Sequence, residues 1–171
     1  MDLLPDAESA VCFTGHRYIG RELLPGLTSK LDVVIDRCID KGLTSFLAGG
    51  AIGFDTLAAL RVTEAKLRHP RAKLYLILPC RDQTKLWKSL CDINEYRRLK
   101  ECADGIVYIQ DFYDKNCMMK RNMFLVDHSS ICIAYFDGKS GGTGNTVKYA
   151  AECGKKIINL YNADAQDEKN A

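Results

Sequence analysis

The chain reads as an α/β protein: a doubly wound, mainly parallel sheet of about six strands with helices on both faces. Three observations predict this. Short runs such as Ala10-Val11-Cys12-Phe13, Leu74-Tyr75-Leu76-Ile77-Leu78 and Ile131-Cys132-Ile133-Ala134-Tyr135-Phe136 are apolar at successive positions, as in strands covered on both faces. Segments of helical period alternate with these runs from about residue 10 to about residue 160. Glycine-rich turns follow several runs and directly precede a helical segment, the order of a strand, its ligand-facing loop and its crossover helix.

In order, Ala10–Phe13 is the first strand and runs into Thr14-Gly15-His16-Arg17. A helix follows from about Pro25, a residue suited to an early helical position, through Leu27, Leu31, Val34, Ile35 and Cys38 to a stop at Lys41-Gly42. The second strand, Thr44 to Ala48, leads into Gly49-Gly50-Ala51-Ile52-Gly53-Phe54-Asp55. Phe54, Ala58, Val62 and Ala65 then form one helix face that ends near His69-Pro70. Lys73–Leu78 is the third strand, closed by Pro79-Cys80-Arg81. The segment from Gln83 to Cys102 is helical, with Trp87 one turn beyond Gln83 on the same face. Gly105–Ile109 is the fourth strand. The helix Asn116–His128 is expected to bury Met119, Met123 and Val126 and to carry Arg121-Asn122 elsewhere on its surface. Ile131–Phe136 is the fifth strand, and it leads through Asp137-Gly138-Lys139 into Ser140-Gly141-Gly142-Thr143-Gly144-Asn145-Thr146 and another helix. Lys156–Leu160 closes the sheet before a polar tail expected to fray.

Composition sets the outer bounds. At 171 residues, 47% apolar and 27% charged, the chain is expected to be one domain with a full core over 1–171. No apolar run approaches the roughly twenty residues of a membrane span, and Met1-Asp2-Leu3-Leu4-Pro5-Asp6 lacks a basic leader region, so a cytoplasmic location is expected. A net charge of +2 provides no broad basic face, and the Lys66–Lys73 and Arg97–Lys100 clusters read as solvated helix ends. None of the eight cysteines falls in C-x-x-C spacing and no histidine lies at ligand spacing from them, which argues against a metal site; Cys12, Cys38 and Cys132 are expected reduced and buried.

The three glycine turns carry the chemistry. A glycine admits close approach of backbone N–H groups to a ligand, and a helix start presents unpaired donors and a positive dipole end to an anion. The spacing is not G-x-G-x-x-G, so the ordinary dinucleotide fingerprint is absent. At the first turn Gly15, His16 and Arg17 either hold an anion, or His16 caps a local carbonyl and Arg17 pairs with a surface carboxylate. At the second, Gly49, Gly50 and Gly53 offer backbone donors, while Asp55 complements its helix dipole or accepts from a sugar hydroxyl. The third, with Ser140, Gly141, Gly142, Thr143 and Asn145, interleaves glycines with hydroxyl and amide groups and is the most specific. Gln83 and Trp87 follow the carboxyl end of a parallel strand, where Trp87 stacks on a base or packs its helix onto the sheet. His69 and His128 read as helix-end residues. For these turns to share one ligand, strand five must lie beside strand one, which makes that junction the topological switch point.

Taken together and in this order, Phe13-Thr14-Gly15-His16-Arg17, Ala48-Gly49-Gly50-Ala51 with Gly53-Phe54-Asp55, Gln83 with Trp87, Arg121-Asn122 and Ser140-Gly141-Gly142-Thr143 resemble the YpsA-like family of the SLOG superfamily, which is named for the DNA-processing proteins (Smf/DprA) and the LOG phosphoribohydrolases. The resemblance covers about residues 10 to 160. It implies a Rossmann-like domain whose strand-end loops bind a nucleotide or nucleotide-derived ligand, with ADP-ribose, NAD and nucleoside monophosphates as candidates. The leading expectation is a sensor or adaptor module. A protein partner and a homo-oligomer remain open.

The runner-up is N-glycosidic cleavage of a nucleotide. LOG enzymes carry P-G-G-x-G-T-x-x-E and an upstream arginine. Laid onto this chain, the glycines fall on Gly141, Gly142 and Gly144 and the arginine on Arg121, but Ser140, Asn145 and Lys148 replace the proline, threonine and glutamate. A lysine opposes the positive charge that grows on the sugar; Glu152, one further helical turn along, substitutes only if the pocket differs. Single-stranded DNA binding, as in the DNA-processing relatives, ranks third, because charge is near neutral and no aromatic platform for successive bases is evident.

Overall fold

The computed structural model describes residues 4–161. The chain alternates through β1 (Ala10–Gly15), α1 (Leu24–Asp40), β2 (Ser45–Ala48), α2 (Phe54–Arg68), β3 (Lys73–Leu78), α3 (Leu90–Cys102), β4 (Gly105–Tyr108), α4 (Cys117–Asp127), β5 (Ile131–Tyr135), α5 (Gly142–Glu152) and β6 (Lys156–Asn159). The strands form one sheet in the order β4-β3-β2-β1-β5-β6, with every neighbouring pair parallel. β5 lies beside β1, with Cys12 opposite Cys132 and Gly15 opposite Tyr135, so the strand order reverses where the sequence places the switch point. The expected tail beyond residue 161 and the first three residues lie outside the described part. Among the described residues no helix is long and apolar enough to cross a membrane.

Two cores sandwich the sheet. On one face Val11, Phe13, Phe46, Leu74, Leu76 and Ile133 pack under α1, α2 and α3, whose inward residues include Leu27, Leu31, Ile35, Phe54, Val62 and Leu99. On the other, Cys12, Leu47, Ile77 and Cys132 pack under Leu125 and Val126 of α4 and Ala150 of α5. The cysteines expected inside are there, together with Cys80 and Cys117, whereas Cys91 and Cys153 are exposed. The cationic clusters are partly tied down: Lys66 pairs with Asp104 at 2.6 Å and Arg68 with Asp36 at 3.1 Å.

The turns after β1 and β2 interlock. The backbone N–H of Phe54, the first residue of α2, donates to the His16 carbonyl at 3.1 Å. A Cβ on Gly15 would lie 2.5 Å from the Phe54 ring, and one on Gly53 would collide with the Arg17 carbonyl. Gly53 also has φ +88°, a conformation that side chains rarely adopt, so this position requires glycine twice over.

Two expectations are corrected. The segment 83–102 is not one helix: Gln83–Leu86 is a single 3-10 turn, Trp87 is extended, and α3 starts only at Leu90, where the Ser89 hydroxyl caps it. Trp87 therefore does not share a helix face with Gln83. In α4 the buried stripe is Cys117, Arg121, Leu125 and Val126, while Met119 and Met123 are 55% and 39% exposed. The helix is turned away from its most apolar face because Arg121 finds partners inside. Its guanidinium donates to the Gly49 carbonyl, donates through Nε to Asn122 Oδ1 at 2.7 Å, and lies 3.9 Å from Asp55 Oδ2. A Cβ on Gly49 would occupy the space of that guanidinium.

Replacing Arg121 by Ala should therefore destabilise the ligand-free protein by about 3–5 kcal/mol, the usual cost of breaking a buried pair, seen as a lower urea midpoint. Burial raises the Asp55 pKa and Arg121 is the largest influence opposing it, so losing the arginine raises it further. A raised folded-state pKa contributes stability that is complete below the ordinary value of 3.8 and is lost as pH climbs through the folded value. The deficit of the variant should therefore shrink as pH falls toward the ordinary carboxyl value of 3.8. A deficit that stays constant over that range would show that Asp55 does not depend on Arg121.

Candidate functional site

All three glycine turns lie at the carboxyl edge of the sheet, after β1, β2 and β5, and these strands are adjacent. The edge is shared, but the turns differ in what their polar groups do. Gly49 and Gly50 are buried. The Gly49 carbonyl accepts from Arg121, the Gly50 carbonyl accepts from Gln83 Nε2 at 3.4 Å, and the Ala51 N–H donates to Asp55 Oδ2 at 3.4 Å. With the Phe54 N–H committed to His16, the second turn spends these groups inside the protein. Asp55 is neither an exposed dipole partner nor open to solvent; it is 6% exposed and stands against Arg121. Burial pulls both members toward their neutral forms, and their mutual attraction opposes this.

The first turn bridges to the third. His16 Nε2 lies 2.9 Å from the Asp137 backbone nitrogen, which donates to it, and 3.0 Å from Asp137 Oδ1. The Asp137 pKa is lowered, chiefly by the Lys139 N–H and also by His16. Arg17 is exposed, with no ion pair within 4 Å and no side-chain hydrogen bond among the described residues, and its charge favours the Asp55 carboxylate.

The third turn is open. The α5 helix begins at Gly142, two glycines earlier than a start at Val147 would place it, and no side chain caps it. Its N-cap, Gly141, has φ +146° and ψ −170°. A Cβ on Gly142 would meet nothing within 4 Å, so the space ahead of the helix start is free. That space continues into a cleft of about 450 Å³ between α4 and α5. Asn122, Gly142 and Asn145 line it, as expected from sequence, and Arg121 Nε fixes the Asn122 carbonyl oxygen. Lys115 and Lys148 add positive charge, and Met118, Met119, Met123 and Tyr149 supply an apolar wall. A helix start with free N–H groups, two lysines and a flat apolar wall can hold an anionic group at one end and a ring at the other.

Gln83 and Trp87 do not reach this cleft. Gln83 is 4% exposed beside Gly50, and Trp87 packs edge-on to Tyr96 with ring centroids 5.4 Å apart. Ser140 and Thr143 flank the α5 start without lining the cleft. His128 stacks on Phe124 at 3.9 Å and His69 pairs with Asp36 at 3.1 Å, both at helix ends. The residues that sequence reasoning missed are the methionines and Tyr149. Their signal was present, since 115, 118, 119, 122 and 123 share one side of a helix by spacing, as do 142, 145, 146 and 149.

Comparison with known proteins bears on the family and the fold. The family model YpsA, described as the YspA SLOG family, matches residues 22–164. An uncharacterized SPbeta prophage-derived protein of Bacillus subtilis, YoqJ, is 32% identical over 137 residues, covering 72% of this chain and 80% of its own. The fold is similar to DNA processing protein A of Helicobacter pylori, described for its single-stranded DNA binding mode (TM-score 0.64, 18% identity, 91% of this chain), and to that of Streptococcus pneumoniae (TM-score 0.62, 15% identity, 91% of this chain). This chain spans 66% of the first of those structures and 50% of the second. The family match runs from before α1 to beyond β6, and the chain belongs to the YpsA family of SLOG proteins.

Proposed function

We propose that this protein is a nucleotide-binding module, a sensor or adaptor, whose ligand places its phosphate at the start of α5. The observation that carries this reading is the coincidence of the uncapped α5 N-terminus with the 450 Å³ cleft between α4 and α5, beside the junction of β1 and β5. The volume falls in the range of about 300–1,000 Å³ common for small-molecule sites. Phosphate would take the Gly142–Gly144 N–H groups and the lysines, the Asn122 and Asn145 amides would orient it, and the methionines with Tyr149 would flank the base. ADP-ribose, NAD and nucleoside monophosphates all carry this combination. Single-stranded DNA binding receives less support, since the chain has a net charge of only +2.

A second reading, N-glycosidic cleavage, is favoured by one observation: Glu152 lines the same cleft as Asn122. Lys148 also lines it, with Nζ 3.9 Å from Glu152 Oε1. An ammonium there opposes the positive charge that develops on the sugar, and this supports binding over hydrolysis.

Two outcomes follow. Gly142→Val should weaken nucleotide binding at least tenfold, about 1.4 kcal/mol, in calorimetry. The added Cβ enters open space, so the fold should be retained, and full affinity in the folded variant would remove α5 from the site. Chromatography of protein incubated with AMP, GMP or CMP should reveal negligible free base. Turnover that vanishes in Glu152→Gln would establish the enzyme reading instead, because a base beside the sugar in place of an acid is expected to cost several powers of ten in rate.

A further inference from the structure

The loops that leave β3 and β4 are neighbours, because these two strands pair and β4 is the edge of the sheet. They are also bonded to each other. The Arg81 N–H donates to the Asp111 carbonyl at 3.1 Å, Arg81 Nε donates to Asp111 Oδ1 at 3.0 Å, and the Tyr113 N–H donates to Asp82 Oδ1 at 2.9 Å. The Arg81 guanidinium also lies over the Tyr108 ring, 4.4 Å from its centroid. The two loops therefore present one continuous surface.

That surface carries Leu86 and Leu90 from the β3 side and Phe112 and Tyr113 from the β4 side, each between 51% and 77% exposed. On the β3 side Gln83 is buried and Trp87 packs onto Tyr96, which leaves the two leucines outside. The other exposed large apolar residues among the described residues are dispersed. Met119 and Met123 wall the cleft between α4 and α5, and Tyr18, Val33 and Leu67 stand on three separate elements. Single apolar side chains are ordinary on a surface, whereas four on one pair of bonded loops mark a contact face.

The charges around these side chains decide what the face accepts. The carboxylates of the two loops are engaged locally: Asp82 by the Tyr113 N–H, Asp111 by Arg81, and Asp114 by the Asn116 N–H at 2.8 Å and Lys120 at 3.7 Å. Lys85 and Lys88, on either side of Leu86, are exposed and form no ion pair among the described residues. The β3 half thus carries uncompensated positive charge, while Asp111 and Asp114 bracket the aromatic pair of the β4 half. A nucleic acid or an anionic lipid surface would lay phosphates against those two carboxylates as well. A protein can set its own carboxylates against the lysines alone. A second copy of this chain would bring another pair of unpaired lysines to the contact, which like-charge repulsion opposes.

We propose that the loops after β3 and β4 form a docking face for a partner protein, whose docking segment carries bulky apolar side chains with carboxylates beside them. Leu86, Leu90, Phe112 and Tyr113 bury against the apolar side chains, and Lys85 and Lys88 pair with the carboxylates. The inference does not depend on the nucleotide reading.

An NMR titration tests this with a synthetic amphipathic peptide that has leucines at helical spacing and glutamates between them, and with the same peptide bearing lysine for glutamate. The glutamate peptide should shift the backbone signals of residues 85–90 and 111–114 and bind at least tenfold more tightly than the lysine peptide. Leu86→Ser combined with Phe112→Ser, and separately Lys85→Glu combined with Lys88→Glu, should each weaken that binding at least tenfold. All four side chains are exposed, so the fold should be retained, which unchanged signals from the rest of the chain verify. No binding of the glutamate peptide, equal binding of the two peptides, shifts confined to other residues, or unchanged affinity in either double variant overturns the proposal. Tighter binding of an oligothymidine strand or of anionic phospholipid vesicles at these loops, or dimerisation through them in sedimentation, overturns it too and assigns the face to that other occupant.

Discussion

The closure of the turn after β1 onto the turn after β2 is the constraint on which the rest of this structure depends. Phe54 must begin its helix over the end of β1, and Gly53 must pass the Arg17 carbonyl with no side chain. Phe54 then stacks on Tyr135 at 5.8 Å and meets Phe13 edge-on at 6.4 Å, so the same contact ties β1, α2 and β5 into one aromatic layer. Because interiors pack at nearly crystalline density, a shift at this point would propagate into both strand ends. The rigid platform so formed holds His16 where it can bridge to Asp137 and thereby sets where the loop after β5 begins.

That closure divides the labour among three turns that look equivalent as sequence. The turn after β2 is consumed in holding the fold: its carbonyls face Arg121 and Gln83 and its N–H faces Asp55. The turn after β5 has no side chain capping its helix, so the helix start stays open. A buried N–H or carbonyl must be paired and an exposed one need not be, so burial decides which glycine turn is scaffold and which is available to a ligand. In this chain the open glycine turn thus follows β5, the strand beside β1.

The α4 helix shows the same logic at the level of side chains. Placing Arg121 inward carries a desolvation cost, offset by the Gly49 carbonyl, Asn122 and Asp55. The return lies on the opposite surface, where Met119 and Met123 face the cleft in place of the core. Arg121 is thus a positioning residue: it holds Asn122 toward the cleft and the β2 turn beneath it.

The alternation of apolar runs and helical segments, the all-parallel sheet and the position of β5 beside β1 were legible from sequence, since each follows from local periodicity, chain order and the placement of glycine turns. The identity of the residues around the α5 start was legible for the same reason: Gly142, Asn145 and Asn122 belong to short motifs whose spacing survives folding. The inner face of α4 was not. Hydrophobicity ranks methionine above arginine, and the partner that reverses this, the Gly49 carbonyl, lies 72 positions away. The break at Trp87 carried a local signal that the periodicity reading passed over, Ser89 with Asp92 three residues on, and Trp87 packing against Tyr96 accompanies it. Local sequence decides what an element is. Which of its faces turns inward depends on the partners that distant segments bring to it, and these exist only once the chain has folded.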